Sequence, residues 1–343
     1  MNTWFPASHA DVFISRLLDG YRLNGAWHPP RLRTVKFYVD QFPPINDMAR
    51  DEAAEYGIEI CRTVADAVRG VDGVAVIGEH GDYPRSPPGN VQYPRKRYFD
   101  EIMRVFDEER RVVPYMNDKY FAYTWADAKA MYDTVRERKI PFLCGSTVPL
   151  TWRRPPVEFA RGTEFDELLA VSFGDLEEHA YHAIEMLQSV AERRKGGETG
   201  VAQVRYMAGD EVGRISPELR EAALARRVNP LEKDARPPQA FLIRYGDGLQ
   251  ASVVNLNVQA RDYLLAARRK GERVPEATCF YLGLYTHTHW GFLVRAFEDL
   301  VLTKKNPNPI ERTLMANGIM LAGLESRSKG GAWVDTPHLR IAY

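Results

Sequence analysis

Over residues 1–150, short apolar runs alternate with segments whose apolar residues recur every three to four positions. That is the pattern of strands and crossover helices in a parallel sheet. The runs at 34–40, 73–78, 111–116 and 140–145 predict strands. Segments 47–56, 98–109 and 125–137 predict helices, the first capped by Asn46 or Asp47. The periodicity breaks at Thr151-Trp152-Arg153-Arg154-Pro155-Pro156, because adjacent prolines continue neither a helix nor a central strand. A domain boundary is therefore expected there, dividing the chain into 1–150 and 151–343. The second part reads as a strand at 168–173, a helix at 176–194, and a hairpin of 241–245 with 249–257 around Gly246-Asp247-Gly248. Helices at 290–302 and 311–326 follow, separated by Lys304-Lys305-Asn306-Pro307-Asn308-Pro309, and 213–238 reads as a surface excursion. The predicted class is α/β: a Rossmann-like parallel domain, its first strand short or missing, followed by an α+β domain with an open antiparallel sheet.

The 343 residues balance 46 basic against 46 acidic side chains, which leaves no positive field to hold nucleic acid. Cys61, Cys144 and Cys279 are odd in number and far apart, as free thiols of a reducing compartment are. No apolar run approaches the ~18 residues of a membrane span, and no signal-peptide pattern opens the chain. The expectation is a cytoplasmic protein with a small-molecule substrate.

In open parallel sheets the C-terminal strand ends form the ligand crevice. Asp118-Lys119 stands at one such end and Glu79-His80-Gly81-Asp82 at another, which makes Lys119 the leading candidate for chemistry. On the predicted helix 176–194, Glu178, His182 and Glu185 fall on one stripe, opposite the apolar Leu176, Ala180, Ile184, Leu187 and Ala191. This is either a site or a solvated polar face. Glu178 and His182 also have metal-ligand spacing, and His80 or Asp82 would complete a divalent-metal site. Taken singly, His80 reads equally as a backbone-bonded loop histidine and Asp82 as a turn former. His287 and His289 either reach a substrate or shield the following helix start. Arg153-Arg154 and Tyr93-Pro94-Arg95-Lys96-Arg97 read as anion clamps or as ion-paired surface.

Three stretches carry a resemblance. They are Asp118-Lys119-Tyr120 with the helix and strand of 124–145, Glu178-x-Ala180-x-His182, and the closing order of a His289-Trp290 helix, basic-proline loop, 311–326 helix and Thr336-Pro337. Across nearly its whole length the chain resembles the glucose-fructose oxidoreductase/inositol dehydrogenase/MocA family, which has Glu-Lys-Pro and Asp-x-Gly-x-His at the first two. The resemblance implies an NAD(P)-dependent oxidoreductase of a carbohydrate, polyol or related hydroxy compound, assembled as a homo-oligomer through the open sheet. It also implies Lys119, His182 and Glu178 as catalytic, and Asp40, Asp118 and His80 on the cofactor side. Lys119 and His182 would orient the substrate hydroxyl and exchange its proton while a nicotinamide takes hydride.

The N-terminus departs from that family. Alignment on Ser8-His9-Ala10-Asp11 puts Met1, Thr3 and Pro6 where three glycines would let the backbone approach a pyrophosphate. Residues 1–4 are too few for the first apolar strand, so either the sheet is built without it or the natural start lies upstream. Two alternatives follow: a nicotinamide-independent and possibly metal-dependent hydrolase, lyase or epimerase on the same fold, and a non-catalytic binding protein.

Overall fold

The computed structural model describes residues 1–284 and 287–343. Of the Tyr285-Thr286-His287-Thr288-His289 stretch, Tyr285 and Thr286 lie outside the described residues. In chain order the elements are α1 (His9–Asp19), β1 (Tyr21–Leu23), β2 (Ala26–His28), β3 (Lys36–Phe37), α2 (Ala49–Tyr56), β4 (Glu59–Ile60), α3 (Val64–Val68), β5 (Val74–Val76), α4 (Arg95–Glu108), β6 (Tyr115–Asp118), α5 (Trp125–Glu137) and β7 (Phe142–Gly145). They continue as β8 (Trp152–Arg154), β9 (Phe165–Ser172), α6 (Leu176–Ala191), β10 (Val201–Ala208), α7 (Pro217–Leu224), β11 (Gln239–Tyr245), β12 (Gln250–Asn255), β13 (Tyr263–Arg269), β14 (Glu276–Tyr281), α8 (Trp290–Thr303), α9 (Ile310–Ser328) and β15 (Val334–Asp335). The chain forms two compact units: Met1–Pro84, Val91–Thr147 and Gly283–Ile310 in the first, and Arg85–Asn90, Val148–Leu282 and Glu311–Tyr343 in the second.

In the first unit, β3 pairs in parallel with β4, and β5, β6 and β7 form a second parallel group. Residues 1–4 join the two groups. Asn2 N donates to Ile77 O at 3.0 Å, and Asp40 N and Gln41 N donate to Met1 O and Asn2 O at 3.1 and 2.8 Å. The expectation that Met1 and Thr3 stand at cradle positions is corrected here, because both lie in this extended segment and α1 starts only at His9. Local chemistry sets that start: Ser8 is in β geometry and its hydroxyl accepts from Asp11 N. Thr124 does the same for α5. Helix α4 buries Tyr98, Phe99, Ile102, Met103, Val105 and Phe106, a stripe at helical spacing.

The second unit is an eight-stranded sheet in the order β15-β10-β11-β12-β9-β13-β14-β8. It is the expected open sheet, antiparallel at every pair but one: β12 and β9 run parallel from Gln250↔Glu167 to Asn255↔Ser172. Helix α6 packs on this sheet and is buried on nearly every side. Of the two readings of that stripe the solvated face does not hold, since His182 is 7% and Glu185 2% exposed. Polar partners inside the unit answer that face instead. Thr313 Oγ1 donates to Glu185 at 3.0 Å, Arg312 Nε to Glu192 at 2.8 Å and Tyr245 OH to Gln188 at 2.8 Å. Among the described residues, no helix is long and apolar enough to cross a membrane.

Candidate functional site

Strand β6 is buried at every residue and ends on Asp118, so its carboxylate and the next residue emerge at the C-terminal end of the parallel group. Lys119 turns there with φ 62°. Its N–H donates to Gly145 O at 3.1 Å, and its carbonyl accepts from Cys144 Sγ at 3.1 Å. Ala7 (φ 63°) and His80 (φ 62°) are among the other non-glycine residues of this unit in the left-handed conformation. Each costs an L-residue on the order of 1 kcal/mol, and such strain persists where surrounding contacts over-determine it.

The side chains form one buried network. Lys119 Nζ donates to Glu79 Oε2 at 2.7 Å, and Arg95 Nη2 donates to Glu79 Oε1. Arg95 is fully buried, with its guanidinium 4.1 Å from the Tyr120 ring and 5.0 Å from that of Tyr93. Gly78 makes that placement possible, because a Cβ there would lie 2.8 Å from Arg95 Cγ. On the other side of the network, His9 Nδ1 and Asp118 Oδ2 share a hydrogen bond of 2.6 Å. The His80 ring lies 5.4 Å from that of His9 and 5.3 Å from Phe5. Asn2 fastens this side, donating from Nδ2 to His80 O at 3.2 Å and accepting from Tyr98 OH at 2.8 Å.

The electrostatics divide the two carboxylates. Burial works to raise Glu79, but Lys119 and Arg95 outweigh it and hold the carboxyl well below its usual range. Burial and the neighbouring Glu79 charge push Asp118 up to about 7. Burial, with the Lys119 charge, keeps His9 well below its ordinary value, and burial lowers His80 also. Near neutral pH the network therefore holds one permanent carboxylate between two cations and one carboxyl poised to give or take a proton. Among the described residues, Arg95 Nη1, Asp118 Oδ1 and His80 Nε2 are buried without a hydrogen-bonding partner.

The raised Asp118 value carries a sign. Between its ordinary 3.8 and about 7 the folded chain holds a proton that the unfolded chain releases. Its contribution to stability is therefore full below about 4 and is lost as pH rises through about 7. Measured against Asp118→Asn, the parent protein is expected to lose relative stability across that window in denaturant titrations. A flat difference would show that Asp118 is ionised throughout.

Of the residues singled out by sequence, Lys119, Asp118, His80 and Glu79 come together. Asp40 lies apart from them, accepting from Tyr38 OH at 2.6 Å, Tyr83 OH at 2.7 Å and Arg97. Asp82 is exposed, its backbone tied to the Gln41 side chain. Glu178 and His182 belong to the second unit, where the His182 ring packs 5.7 Å from Tyr263. Among the described residues, no group of three or more His, Cys, Asp or Glu side chains is arranged to hold a metal ion. At the start of α8, the carbonyls of His287 and His289 accept from Arg16 Nη2 and Thr147 Oγ1. Arg153 and Arg154 stack on Phe280 and Tyr281 at 4.2 and 3.5 Å rather than standing open as a clamp. Sequence reasoning missed His9 and the burial of Arg95. The second had a signal, because position 95 lies four before Phe99 and three before Tyr98, on the apolar stripe of α4.

No known protein family and no curated protein matches this sequence. Solved structures do match the fold. Scyllo-inositol dehydrogenase from Lactobacillus casei superimposes with a TM-score of 0.61 at 12% identity, over 95% of this chain and 94% of that one. GenD2 from gentamicin A biosynthesis, solved in complex with NAD, gives 0.59 at 10% identity over 96% and 92%. Myo-inositol 2-dehydrogenase from Lactobacillus plantarum gives 0.55 at 11% identity over 95% of each chain. The chain thus has the two-part α/β fold of these proteins, two of them inositol dehydrogenases.

GenD2 is solved with NAD, and the turn that opens the crevice in this chain departs from the glycine-rich turn that a dinucleotide's pyrophosphate ordinarily meets. A pyrophosphate needs free N–H groups on a glycine-rich turn at a helix N-terminus. Here the turn is Phe5-Pro6-Ala7-Ser8. Ala7 N is taken by Asp11 Oδ2 at 2.7 Å, and Phe5 N and Asp11 N by the Ser8 hydroxyl at 3.3 and 3.2 Å. A carboxylate already stands where the anion would bind, and the acid expected to meet a ribose, Asp40, has both oxygens engaged.

Proposed function

We propose that this protein is an oxidoreductase of a small hydroxylated compound, a carbohydrate or polyol, in which Lys119 orients the reacting hydroxyl and Asp118 takes its proton. One observation carries the reading: a buried lysine, pinned by Glu79 at the mouth of β6, stands beside a buried Asp118 that burial pushes up to about 7 and that shares a hydrogen bond with His9. Oxidising a hydroxyl requires an acceptor for its hydride, which a nicotinamide would supply if bound, and an acceptor for its proton, which these residues supply. Lys119 orients the hydroxyl oxygen, and Asp118, backed by His9, stores the proton. The unpartnered Arg95 Nη1 and Asp118 Oδ1 offer one donor and one acceptor, as a polyol ligand demands. The dehydrogenases sharing the fold support the substrate class.

A second reading is proton-transfer chemistry without nicotinamide, an elimination or epimerisation on the same class of compound. It is favoured by the filled turn at residues 5–8. Titration with NADH and NADPH, paired with Asp11→Asn, separates the two. The oxidoreductase reading expects saturable binding that tightens roughly tenfold in Asp11→Asn, since a like charge leaves the helix N-terminus. No binding to either protein, together with solvent deuterium entering a sugar or polyol, would replace it with the second.

A further inference from the structure

A proton taken up by Asp118 has to leave the site again, and the side chains around it are out of contact with bulk water. Lys119, Glu79, Arg95 and Asp118 are all buried. His9 differs from them. Its side chain is 15% exposed, while its Nδ1 shares the 2.6 Å hydrogen bond with Asp118 Oδ2. An imidazole carries a second nitrogen, Nε2, on the far side of the ring, so it can meet a buried carboxyl with one nitrogen and pass a proton outward with the other. His80 is half-buried too, but its Nε2 is buried without a hydrogen-bonding partner, which gives it no such link at that nitrogen.

The fold fixes this ring and keeps it from trapping the proton. Ser8 caps α1, which makes His9 the first residue of the helix. The ring stands edge-on to those of Trp290 and His80, with centroids 4.6 and 5.4 Å away. The positive end of a helix disfavours an imidazolium, and burial with the Lys119 charge holds His9 well below its ordinary value. A ring that rests neutral offers an acceptor nitrogen to the Asp118 proton and does not retain it.

Resting on the assignment of Asp118 as the group that takes the hydroxyl proton, we infer that His9 is the proton exit of the site, carrying each proton from Asp118 to solvent. In this step the Asp118 O–H bond breaks as an Nδ1–H bond forms, and the Nε2–H bond breaks as a water molecule takes that proton. The electron pairs stay on oxygen and nitrogen, so no oxidant or reductant enters. A half-turn of the ring and exchange with water restore the Nε2–H tautomer. His9 acts through Asp118, which makes it a positioning and relay residue.

His9→Asn keeps a donor for Asp118 but has no titrating ring to pass a proton on. Carbon-13 NMR of Asp118 Cγ near pH 7, where this carboxyl titrates, reads exchange between its acid and carboxylate forms without any substrate. Exchange is expected to slow at least ~10-fold in His9→Asn, and in His9→Ala to recover with added imidazole, a response that a packing role would not give. Unchanged exchange in His9→Asn, or slowing in His9→Ala that imidazole leaves in place, would overturn the proposal. Assays of sorbitol and myo-inositol with NAD or NADP test the underlying reading separately. Slowed exchange in a protein that oxidises neither would keep the exit and count against the oxidoreductase. Where turnover is found, kcat of His9→Asn should fall ~10–10²-fold with KM unchanged.

Discussion

Lys119→Met is expected to lower turnover of the hydroxylated substrate by at least ~10²-fold, the usual scale for losing a proton-transfer group. Methionine fills the same volume, so what is removed is the ammonium 2.7 Å from Glu79 Oε2 in a site where Lys119 is 2% exposed. Read from sequence, the replacement should leave the fold intact; the structure changes that expectation. Lys119 is one of two cations on Glu79, so the variant leaves a buried carboxylate leaning on Arg95 alone. A loss of ~1–3 kcal/mol follows, less than the ~3–5 kcal/mol typical when a buried charge loses its sole partner. The double variant Lys119→Met/Glu79→Gln should recover stability and not turnover. Steady-state kinetics and denaturant unfolding on the same preparations measure both, and undiminished turnover in Lys119→Met would sink the oxidoreductase and the proton-transfer readings together.

Arg95→Leu is expected to cost roughly 3–5 kcal/mol of stability, the largest effect of any single change in this network. The guanidinium is fully buried, bonded to Glu79 and stacked between Tyr93 and Tyr120. Such a desolvated cation over an aromatic face adds ~2 kcal/mol to what the ion pair contributes. Arg95→Lys should recover only part of the loss, because an ammonium is too compact to span the space over Gly78 and stack at the same time. Combining Arg95→Leu with Glu79→Gln should return part of the stability, since no carboxylate is then left leaning on Lys119 alone. Urea unfolding of the four proteins checks this. A cost below ~1 kcal/mol for Arg95→Leu would mean that Glu79 is held by Lys119 alone.

Much of the fold is written in local pattern. Four of the five parallel strands, β3, β5, β6 and β7, lie where apolar runs end in turn residues while the short β4 left no such run, and Ser8 and Thr124 announce their helices by capping chemistry that needs only neighbours in sequence. Lys119 at a strand mouth was legible for the same reason, because the crevice follows from the order of elements. The pairing of Glu79 with both Lys119 and Arg95 was not, since those residues are 40 and 16 positions apart and nothing local links them. Residue 95 sits inside a basic run that reads as surface, and only the packing of α4 over Gly78 takes its guanidinium out of water. His182 fails in the opposite sense: its helical stripe looks solvated, yet Tyr263 and the residues of α9 enclose that helix within the second unit.

By itself the sequence determined the α/β class, the strand and helix order and the position of Lys119, because capping, period and turn chemistry act over a few residues. Only the tertiary structure decided which charges share a dry site and which side of α6 is enclosed. Each of these depends on desolvation and on contacts between distant segments, and neither is encoded in local spacing.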